Sequence, residues 1–421
     1  MRPGHEGELS AWGVRRHVLP TLLSFSYILA FQAFLAFLPP YLRDEGVGAG
    51  VSGLLIGLFR VAPLVVALPF GLLADRLEPK QLVTVGLAAF AGALGAATVV
   101  KNLFVMFVLL LVARLAGSLF QVNNQAAYYK VLGERSRAAK LGWYQGVAAL
   151  GFGLGPLFAG LILRAGWLRS PMLIGTLFIL PFVFLSLWGE RVPGARVSLP
   201  EYRRDLGLPG VWVLAAMVLL FSFHFGVEAT CFTLFLQDVL RQNDAQVGTT
   251  YLYISTALAV VMVGTGLVSQ RVHQPRLTGF LALVCSGIGN AVMPWIRSLG
   301  WLLAARFLHV LGDGAFVVFQ SIIIANFFHR QRLGGNLGVF VTMGNIGYFV
   351  GAAVSGYVPG NVYPFFVAGM LAFFATFLFA LWGRPLWTTP PDAAAVPEPG
   401  GRGVGDGPRR LAFVPLAGDG G

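Results

Sequence analysis

The sequence predicts an all-α polytopic membrane protein with twelve transmembrane helices in two pseudo-symmetric six-helix bundles. Hydrophobic residues make up 56% of the 421 residues and charged residues only 11%, whereas a soluble domain has roughly 25% charged residues. Apolar segments long enough to cross a bilayer recur along the chain, and motifs of the first half recur in the second. Such a chain needs lipid as its solvent, so the lipid bilayer is its first expected partner.

The apolar segments give the number of transmembrane helices. A helix needs about 20 apolar residues to cross a bilayer, and these segments are too continuously apolar to be barrel strands. The first six are expected at residues 17–42, 50–74, 81–100, 103–130, 139–164 and 170–189. The second six are expected at residues 211–236, 247–270, 276–296, 299–328, 334–358 and 361–384.

The longest charged linker lies between the sixth and seventh segments and marks a domain boundary. We expect an N-terminal segment at 1–16, an N-terminal bundle at 17–189, a linker at 190–210, a C-terminal bundle at 211–388 and a tail at 389–421. Pro, Gly and Ala with scattered charges dominate the tail, which predicts disorder there.

The distribution of Lys and Arg predicts the orientation. With a cytoplasmic N-terminus, the cytoplasmic segments hold 21 of these residues and the outer loops hold 6. We therefore expect an integral plasma (inner) membrane protein with both termini in the cytoplasm. The net charge of +12 is spread over short loops without a basic helix, so nucleic acid is not an expected partner.

An internal repeat relates the two halves. The segment from Gly71 through Asp75 to Arg76 matches the segment from Gly266 to Arg271, 195 residues later. Both segments lie near the end of the second apolar helix of their half. One such match is weak evidence, so its value depends on further matches at a similar offset.

Two further registers support the repeat. Arg114 in the fourth segment matches Arg306 in the tenth, 192 residues later, and six positions from Leu141 to Gly160 match positions 196 residues later. Three concordant registers predict a duplicated six-helix unit. Transporters are commonly built this way, with a small-molecule substrate site near the midplane between the repeats.

These motifs resemble those of the major facilitator superfamily, over about residues 15–388. The segment from Gly71 to Lys80 resembles the family's signature between spans 2 and 3, and Arg114 resembles the basic residue of its span 4 signature. Residues 151–160 resemble the span 5 signature of the antiporter branches, which carry out multidrug and metabolite efflux. The resemblance implies the family's fold and transport by alternating access.

The resemblance also implies that the loop after the second span latches the two halves at the cytoplasmic side. A carboxylate there can accept hydrogen bonds from the N-terminus of a facing helix. The predicted gate residues are Gly71, Asp75, Arg76 and Lys80, with Gly266 and Arg271 at the repeated positions. The alternative interpretation is helix capping, with Arg76 and Lys80 acting as topology signals.

The fifth segment contains a helix-packing motif formed by Gly151, Gly155, Pro156 and Gly160. Gly151, Gly155 and Ala159 have the spacing that lets helix backbones approach closely. Pro156 removes a backbone hydrogen bond and permits a kink. A further role as a hinge or leak barrier is left open.

Ionisable residues inside the spans are costly and usually face a cavity or the protein interior. Arg306, His309 and Asp313 share one face of the tenth segment, and His224 and Glu228 are i, i+4 neighbours in the seventh. We predict that Glu228, Asp313, His224 and His309 are candidates for proton coupling. The alternative is a set of fixed ion pairs, such as Arg306 with Asp313; Glu228 has no Arg one turn away on its own helix.

Further polar residues are candidates for the substrate cavity. They are Gln32, Arg60, Arg114, Gln121, Asn124, Tyr144, Gln145, Arg306 and Asn345. Three of them are arginines, and these outnumber the two intramembrane acids. The excess hints at an anionic or zwitterionic substrate group.

No catalytic or metal constellation is found. The six histidines lack metal spacing with other ligands, and no Gly-rich phosphate loop precedes a Lys, so we expect no enzymatic activity, no cofactor and no metal. The expected function is secondary active transport, coupled to protons, with efflux of a small amphipathic solute or drug. The alternative is an uptake symporter or facilitator for a small organic anion, zwitterion or sugar. We expect a monomer.

Overall fold

The computed structural model describes residues 13–133, 136–164, 170–194, 198–272 and 274–388. All regular secondary structure in these ranges is helical. The expectations for the first twelve residues and for the tail lie outside the described residues.

Each half contributes six long helices. In the N-terminal half these are α1 (Leu19–Leu35), α2 (Ala49–Arg76), α3 (Pro79–Val99), α4 (Leu103–Val131), α5 (Arg137–Arg164) and α6 (Ser170–Ser186). In the C-terminal half they are α7 (Val211–Asp238), α8 (Asp244–Arg271), α9 (Pro275–Ala291), α10 (Leu299–Phe327), α11 (Leu333–Ser355) and α12 (Tyr363–Trp382). Eleven spans in the described ranges are long and apolar enough to cross a membrane, and α6 is a shorter apolar helix. The predicted fold class is therefore confirmed.

Two of the short helices outside this set lie near contacts between the halves. One, Leu38–Asp44, extends α1, and the other, Leu199–Leu206, lies in the linker between the halves and is called the linker helix below. The Glu201 carboxylate accepts hydrogen bonds from the backbone N (2.7 Å) and hydroxyl (2.8 Å) of Ser198. These hydrogen bonds lower the pKa of Glu201, and they fix the start of the helix.

Two helix pairs, α2–α11 and α5–α8, form the most extensive contacts between the halves. The pairs are equivalent under the internal repeat, because α2 matches α8 and α5 matches α11. We call the end of the bundle at which α2 ends the Asp75 end, and the end at which α2 begins the Arg43 end.

Glycines bring the backbones of these pairs together at both ends. In α2, a Cβ on Gly53 would lie 3.1 Å from the backbone N of Gly356 at the Arg43 end. A Cβ on Gly71 would lie 3.2 Å from the Cα of Gly335 at the Asp75 end. Arg43 also forms an ion pair with Asp238 of α7, with Nη1 2.9 Å from Oδ1. The halves therefore meet at both ends of the bundle.

The helix-packing motif of α5 serves two different interfaces. A Cβ on Gly151 would lie 2.8 Å from the backbone N of Leu29 in α1, so the first part of the motif packs within the N-terminal half. The carbonyl oxygen of Pro156 lies 2.6 Å from the Cβ position of Gly248 in α8, in the other half. Helix α5 continues through Pro156. The motif thus joins α5 to a partner in each half.

Replacing Gly155 by Ala should separate α1 from α5. The added Cβ would lie 2.9 Å from the backbone N of Ala33, and neither backbone can give way easily. We expect the Gly155→Ala variant to lose about 1–3 kcal/mol of free energy of unfolding, the usual range for overpacking. Unfolding of the detergent-solubilised protein measures this loss.

The matched control is Gly264→Ala in α8, where nothing lies within 4 Å of the Cβ position. Alanine is favoured over glycine in a helix by about 1 kcal/mol, so this variant should be as stable as the parent protein or more stable. Equal stability of the two variants would contradict the close packing of α1 on α5.

Candidate functional site

A buried carboxylate joins the two halves at the Asp75 end. Asp75 lies in the last turn of α2 and is 0% exposed. Its carboxylate accepts hydrogen bonds from the backbone N of Gly334 (3.0 Å) and of Gly335 (2.6 Å), in the first turn of α11. These N–H groups have no partner within their own helix, and the helix dipole favours a negative charge there.

Two side chains complete the surroundings of this carboxylate. Lys130 of α4 places Nζ 2.7 Å from Oδ1 of Asp75, and the Tyr202 hydroxyl of the linker helix donates to Oδ2 at 2.8 Å. Burial and the negative charge of Asp75 raise the pKa of Tyr202, so Tyr202 stays a neutral donor at physiological pH. We call Asp75, Lys130, Tyr202, Gly334 and Gly335 the Asp75 latch.

The linker helix is also bound to the C-terminal half. The Asp205 carboxylate is fully buried and pairs with the guanidinium of Arg332, which immediately precedes α11, at 2.7 and 3.0 Å. Asn336 donates to the same carboxylate at 2.7 Å. Such a bidentate pair is strong and fixes geometry. The linker helix therefore holds the start of α11 beside the latch.

The linker helix and its contacts were not predicted from the sequence. The charged linker indicated a domain boundary, and Tyr202 and Asp205 were not among the candidate residues. A signal was available, because Ser198 followed by Glu201 three residues later is a helix-start pattern. The partners of these residues in α2 and α11 could not be read from the sequence.

The other predicted gate residues have different surroundings. Arg76 and Arg271 are exposed and Lys80 is partly buried, while Gly266 packs against α5. Gln270 occupies in the second half the position of the buried carboxylate, and it is exposed. The latch is therefore formed at one of the two positions related by the repeat.

A second charged group lies between α7 and α10, about halfway along both helices. We call it the α7–α10 cluster, and its members are His224, Glu228, Arg306, His309 and Asp313. Arg306 Nη1 and His309 Nε2 lie 2.7 and 3.0 Å from Oε1 of Glu228. His224 Nε2 and His309 Nε2 lie 3.0 and 3.1 Å from Oδ2 of Asp313. The structure thus brings together all four predicted coupling residues.

The ion pair suggested for Arg306 and Asp313 is wrong, because Arg306 pairs with Glu228 instead. Seven residues separate Arg306 from Asp313, which places them about 10 Å apart along the helix axis. Glu228 on the facing helix is nearer. Glu228 thus receives from α10 the arginine that its own helix lacks.

Two carbonyl oxygens fix the histidine rings. Nδ1 of His224 donates to the carbonyl of Phe221, and Nδ1 of His309 lies 3.2 Å from that of Ser286. A carbonyl oxygen only accepts, so each Nδ1 carries a proton. In a neutral imidazole, Nε2 would then carry no proton, and its lone pair would point at a carboxylate oxygen. Each Nε2 therefore requires one further proton to contact a carboxylate, and the proton on His309 is shared between Glu228 and Asp313.

Sequence spacing indicated that no histidine lies near other metal-ligating side chains, and the cluster changes this. The ligand atoms of His224, His309 and Asp313 all lie within 4.8 Å of one another. Linear spacing did not reveal this group, because its members come from two helices that are far apart in the sequence. The proximity gives each histidine an acidic neighbour, which is also the requirement for sharing a proton.

Arg60 and Arg114 form a third charged group, in the N-terminal half, and we call them the arginine pair. Their charges are close enough to repel each other. The Arg60 guanidinium lies 4.2 Å from the ring centroid of Tyr348 in α11, and that of Arg114 donates to the Tyr27 hydroxyl. Among the described residues, no carboxylate pairs with either arginine, and both Nε atoms are buried without a partner.

The remaining cavity candidates are spread more widely. Asn124 donates to Ser24 Oγ at 2.9 Å, and Ser24 Oγ lies 2.6 Å from the Tyr144 hydroxyl, which makes a buried polar network within the N-terminal half. Gln145 donates to Ser321 Oγ of α10 at 3.1 Å and so joins the halves. These contacts support packing between helices.

Three predicted cavity residues have no such network. Gln32 and Gln121 are partly buried, and Asn345 is buried with its Nδ2 atom unpartnered. Among the described residues, no hydrogen bond connects any of these three side chains to the arginine pair.

Neutralising Asp75 should open the Asp75 end. The Asp75→Asn variant loses charge-assisted hydrogen bonds worth about 1.5–3 kcal/mol, which lowers the ratio of closed to open molecules by about one to two powers of ten. Spin labels at the exposed positions Leu77 and Arg330 report the separation of the halves, and we expect longer distances. Gln270→Ala, at the matched exposed position, should leave them unchanged. Unchanged distances in Asp75→Asn would rule out the latch.

Known proteins share this architecture. The family model of the Major Facilitator Superfamily matches residues 21–301 and 245–416. The MFS-type transporter YhhS of Escherichia coli (strain K12) is 28% identical over 329 residues, which cover 73% of this chain and 76% of that protein. The quinolone resistance protein NorA of Staphylococcus aureus (strain MRSA252) is 26% identical over 167 residues, 37% of this chain and 43% of that protein.

A solved structure gives the same result for the fold. The crystal structure of the human organic anion transporter MFSD10 matches with a TM-score of 0.69, covering 86% of this chain and 98% of that chain, at 18% identity. At this identity the similarity concerns the fold alone. The family match spans most of the chain, and the fold agrees with it, so this protein is a member of the Major Facilitator Superfamily.

Proposed function

We propose that this transporter works by alternating access and exports a small amphipathic solute or drug in exchange for protons. The similarity to the quinolone resistance protein NorA supports efflux. Both halves of the central region come from one chain, so a monomer is the proposed working unit. Transport without a catalytic step is the proposed activity.

The α7–α10 cluster is the observation that carries the proposal of proton coupling. Each of the two imidazole Nε2 atoms needs a proton to contact a carboxylate, because both atoms would otherwise be acceptors. Loss of one proton sets a lone pair against a carboxylate oxygen at about 3 Å, which is repulsive in a low-dielectric interior. The contact between α7 and α10 must then loosen, and binding of a proton restores it.

The cluster is connected by packing to the other half. The backbone of Tyr348 in α11 packs against Gly226 of α7, two residues before Glu228, and its ring centroid lies 4.2 Å from the Arg60 guanidinium of α2. A movement of α7 on a change of charge in the cluster therefore reaches the contact of α11 with α2. This connection supports coupling between protonation and the separation of the halves.

Alternating access requires that the two ends open in turn. The Asp75 latch closes one end, and the ion pair of Arg43 with Asp238 lies at the other. The Lys and Arg distribution supports placing the Asp75 end and both termini in the cytoplasm, in the plasma (inner) membrane. Breaking one set of contacts while keeping the other would expose the centre to one side at a time.

The alternative function is uptake, by a symporter or facilitator for a small organic anion, zwitterion or sugar. The arginine pair favours this alternative, because two cations without a paired acid suit an anionic solute. The direction of coupling distinguishes the two functions.

Proteoliposomes with an imposed pH gradient test the direction. Exchange predicts that solute accumulates in vesicles with an acidic lumen, since protons leave as solute enters. For one proton exchanged per neutral solute, the expected ratio is about tenfold per pH unit. A quinolone and other amphipathic drugs serve as the solutes. Accumulation in vesicles with an alkaline lumen would exclude exchange and support uptake by symport.

Glu228 should be required for this accumulation. We expect the Glu228→Gln variant to lose accumulation driven by the gradient, because its neutral amide can neither take up a proton nor balance the charge of Arg306. Counterflow of labelled solute without a gradient should continue and shows that the variant is folded. Glu45→Gln, at an exposed carboxyl, is the control. Full accumulation by Glu228→Gln would remove this residue from the coupling mechanism.

A further inference from the structure

We propose that the arginine pair, Arg60 and Arg114, binds a carboxylate group of the transported solute. The inference rests on the proposed function, because it makes this pair part of the solute site between the halves. It goes further by assigning the charge of the solute and the residues that recognise it.

The pair lacks the acid that buried arginines usually have. Arg114 is only 3% exposed and Arg60 is partly buried, and among the described residues neither forms an ion pair with a carboxylate, whereas Arg306 does. Two like charges withdrawn from water repel each other, and leaving them without a counter-ion is costly. A protein keeps such an unfavourable arrangement where a bound ligand supplies the missing negative charge.

The internal repeat shows where the missing acid would lie. Arg306, the counterpart of Arg114, is paired with Glu228 at 2.7 Å. The equivalent glycines Gly155 and Gly351 pack against the carbonyls of Leu29 in α1 and Phe223 in α7, 194 residues apart. In this register the position of Glu228 is occupied in the first half by Phe34, which is apolar and buried. The first half has therefore kept the arginine of the duplicated unit without its carboxylate. A solute carboxylate would take the place that Glu228 takes in the second half.

Aromatic faces cover the two cations in the closed arrangement. The Arg60 guanidinium lies 4.2 Å from the ring centroid of Tyr348, and that of Arg114 lies 5.1 Å from the ring centroid of Phe31. Such cation–π contacts stabilise a buried cation in part. Tyr348 belongs to the opposite half, so its ring leaves Arg60 when the halves part. The cation is then uncovered while the cavity is open to solute.

The chemistry of the pair favours a carboxylate on an apolar body. A guanidinium binds the two oxygens of a carboxylate through parallel N–H groups, and the adjoining aromatic rings suit an apolar solute. Anionic and zwitterionic amphipathic solutes share this group, whereas purely cationic drugs lack it. The pair should therefore reject the cationic members of a drug panel.

Equilibrium binding to the purified full-length protein tests the assignment. The probes are aromatic carboxylic acids, including a quinolone acid, each compared with its primary amide at pH 7.5. We expect the acids to raise the apparent Tm, because ligand binding stabilises the folded state, and to bind roughly tenfold more tightly than their amides. The Arg60→Gln and Arg114→Gln variants should lose this preference.

Two controls separate binding from folding. Arg114→Lys keeps the charge and should retain part of the preference, and Arg330→Gln, at an exposed arginine, should retain all of it. If no acid in the panel binds more tightly than its amide, or if both Gln variants keep the preference, the assignment is overturned. No gradient is applied, so the result does not depend on proton exchange; a failure of coupling appears only in the vesicle assay.

Discussion

The buried charge between two halves that must separate is the constraint on which the rest of this structure depends. The Asp75 carboxylate is tolerated because four donors surround it, two from the first turn of α11 and one each from Lys130 and Tyr202. These donors belong to three separate elements, α4, the linker helix and α11. The carboxylate is satisfied only when all of them meet, so its desolvation and the closing of the Asp75 end are one event.

Charges at the centre of the molecule must be compensated as well, and the two halves do this in different ways. In the C-terminal half, Arg306 is balanced by Glu228, and the histidines hold the protons that the carboxylates require. In the N-terminal half, Arg60 and Arg114 contact aromatic rings and the Tyr27 hydroxyl, and no carboxylate among the described residues pairs with them. A duplicated unit has thus become asymmetric in charge. The proposals for proton and solute assign one task to each half, with Tyr348 between them.

Features that depend on local stretches of the sequence, or on the similarity of its two halves, could be predicted. The hydrophobic segments predicted the helices, and the repeat predicted the two halves. Partners across helices could not be predicted in the same way: the alternative considered for Arg306 was a pair with Asp313 on its own helix, although it pairs with Glu228 on α7. The linker helix shows the same limit, since the contact of Tyr202 with Asp75 joins residues 127 positions apart.

The glycine contacts between α2 and α11 have a consequence for the speed of the transport cycle. Where backbone lies directly against backbone, as at Gly71 and Gly335, there are few long side chains to disengage and repack when the halves roll over each other. Such a surface resists motion little along most of its length. The rate of turnover should then be governed by the few polar contacts at its ends. Salt screens the exposed pair of Arg43 with Asp238 but hardly reaches the buried Asp75 carboxylate, so ionic strength should affect the opening of one end more than that of the other.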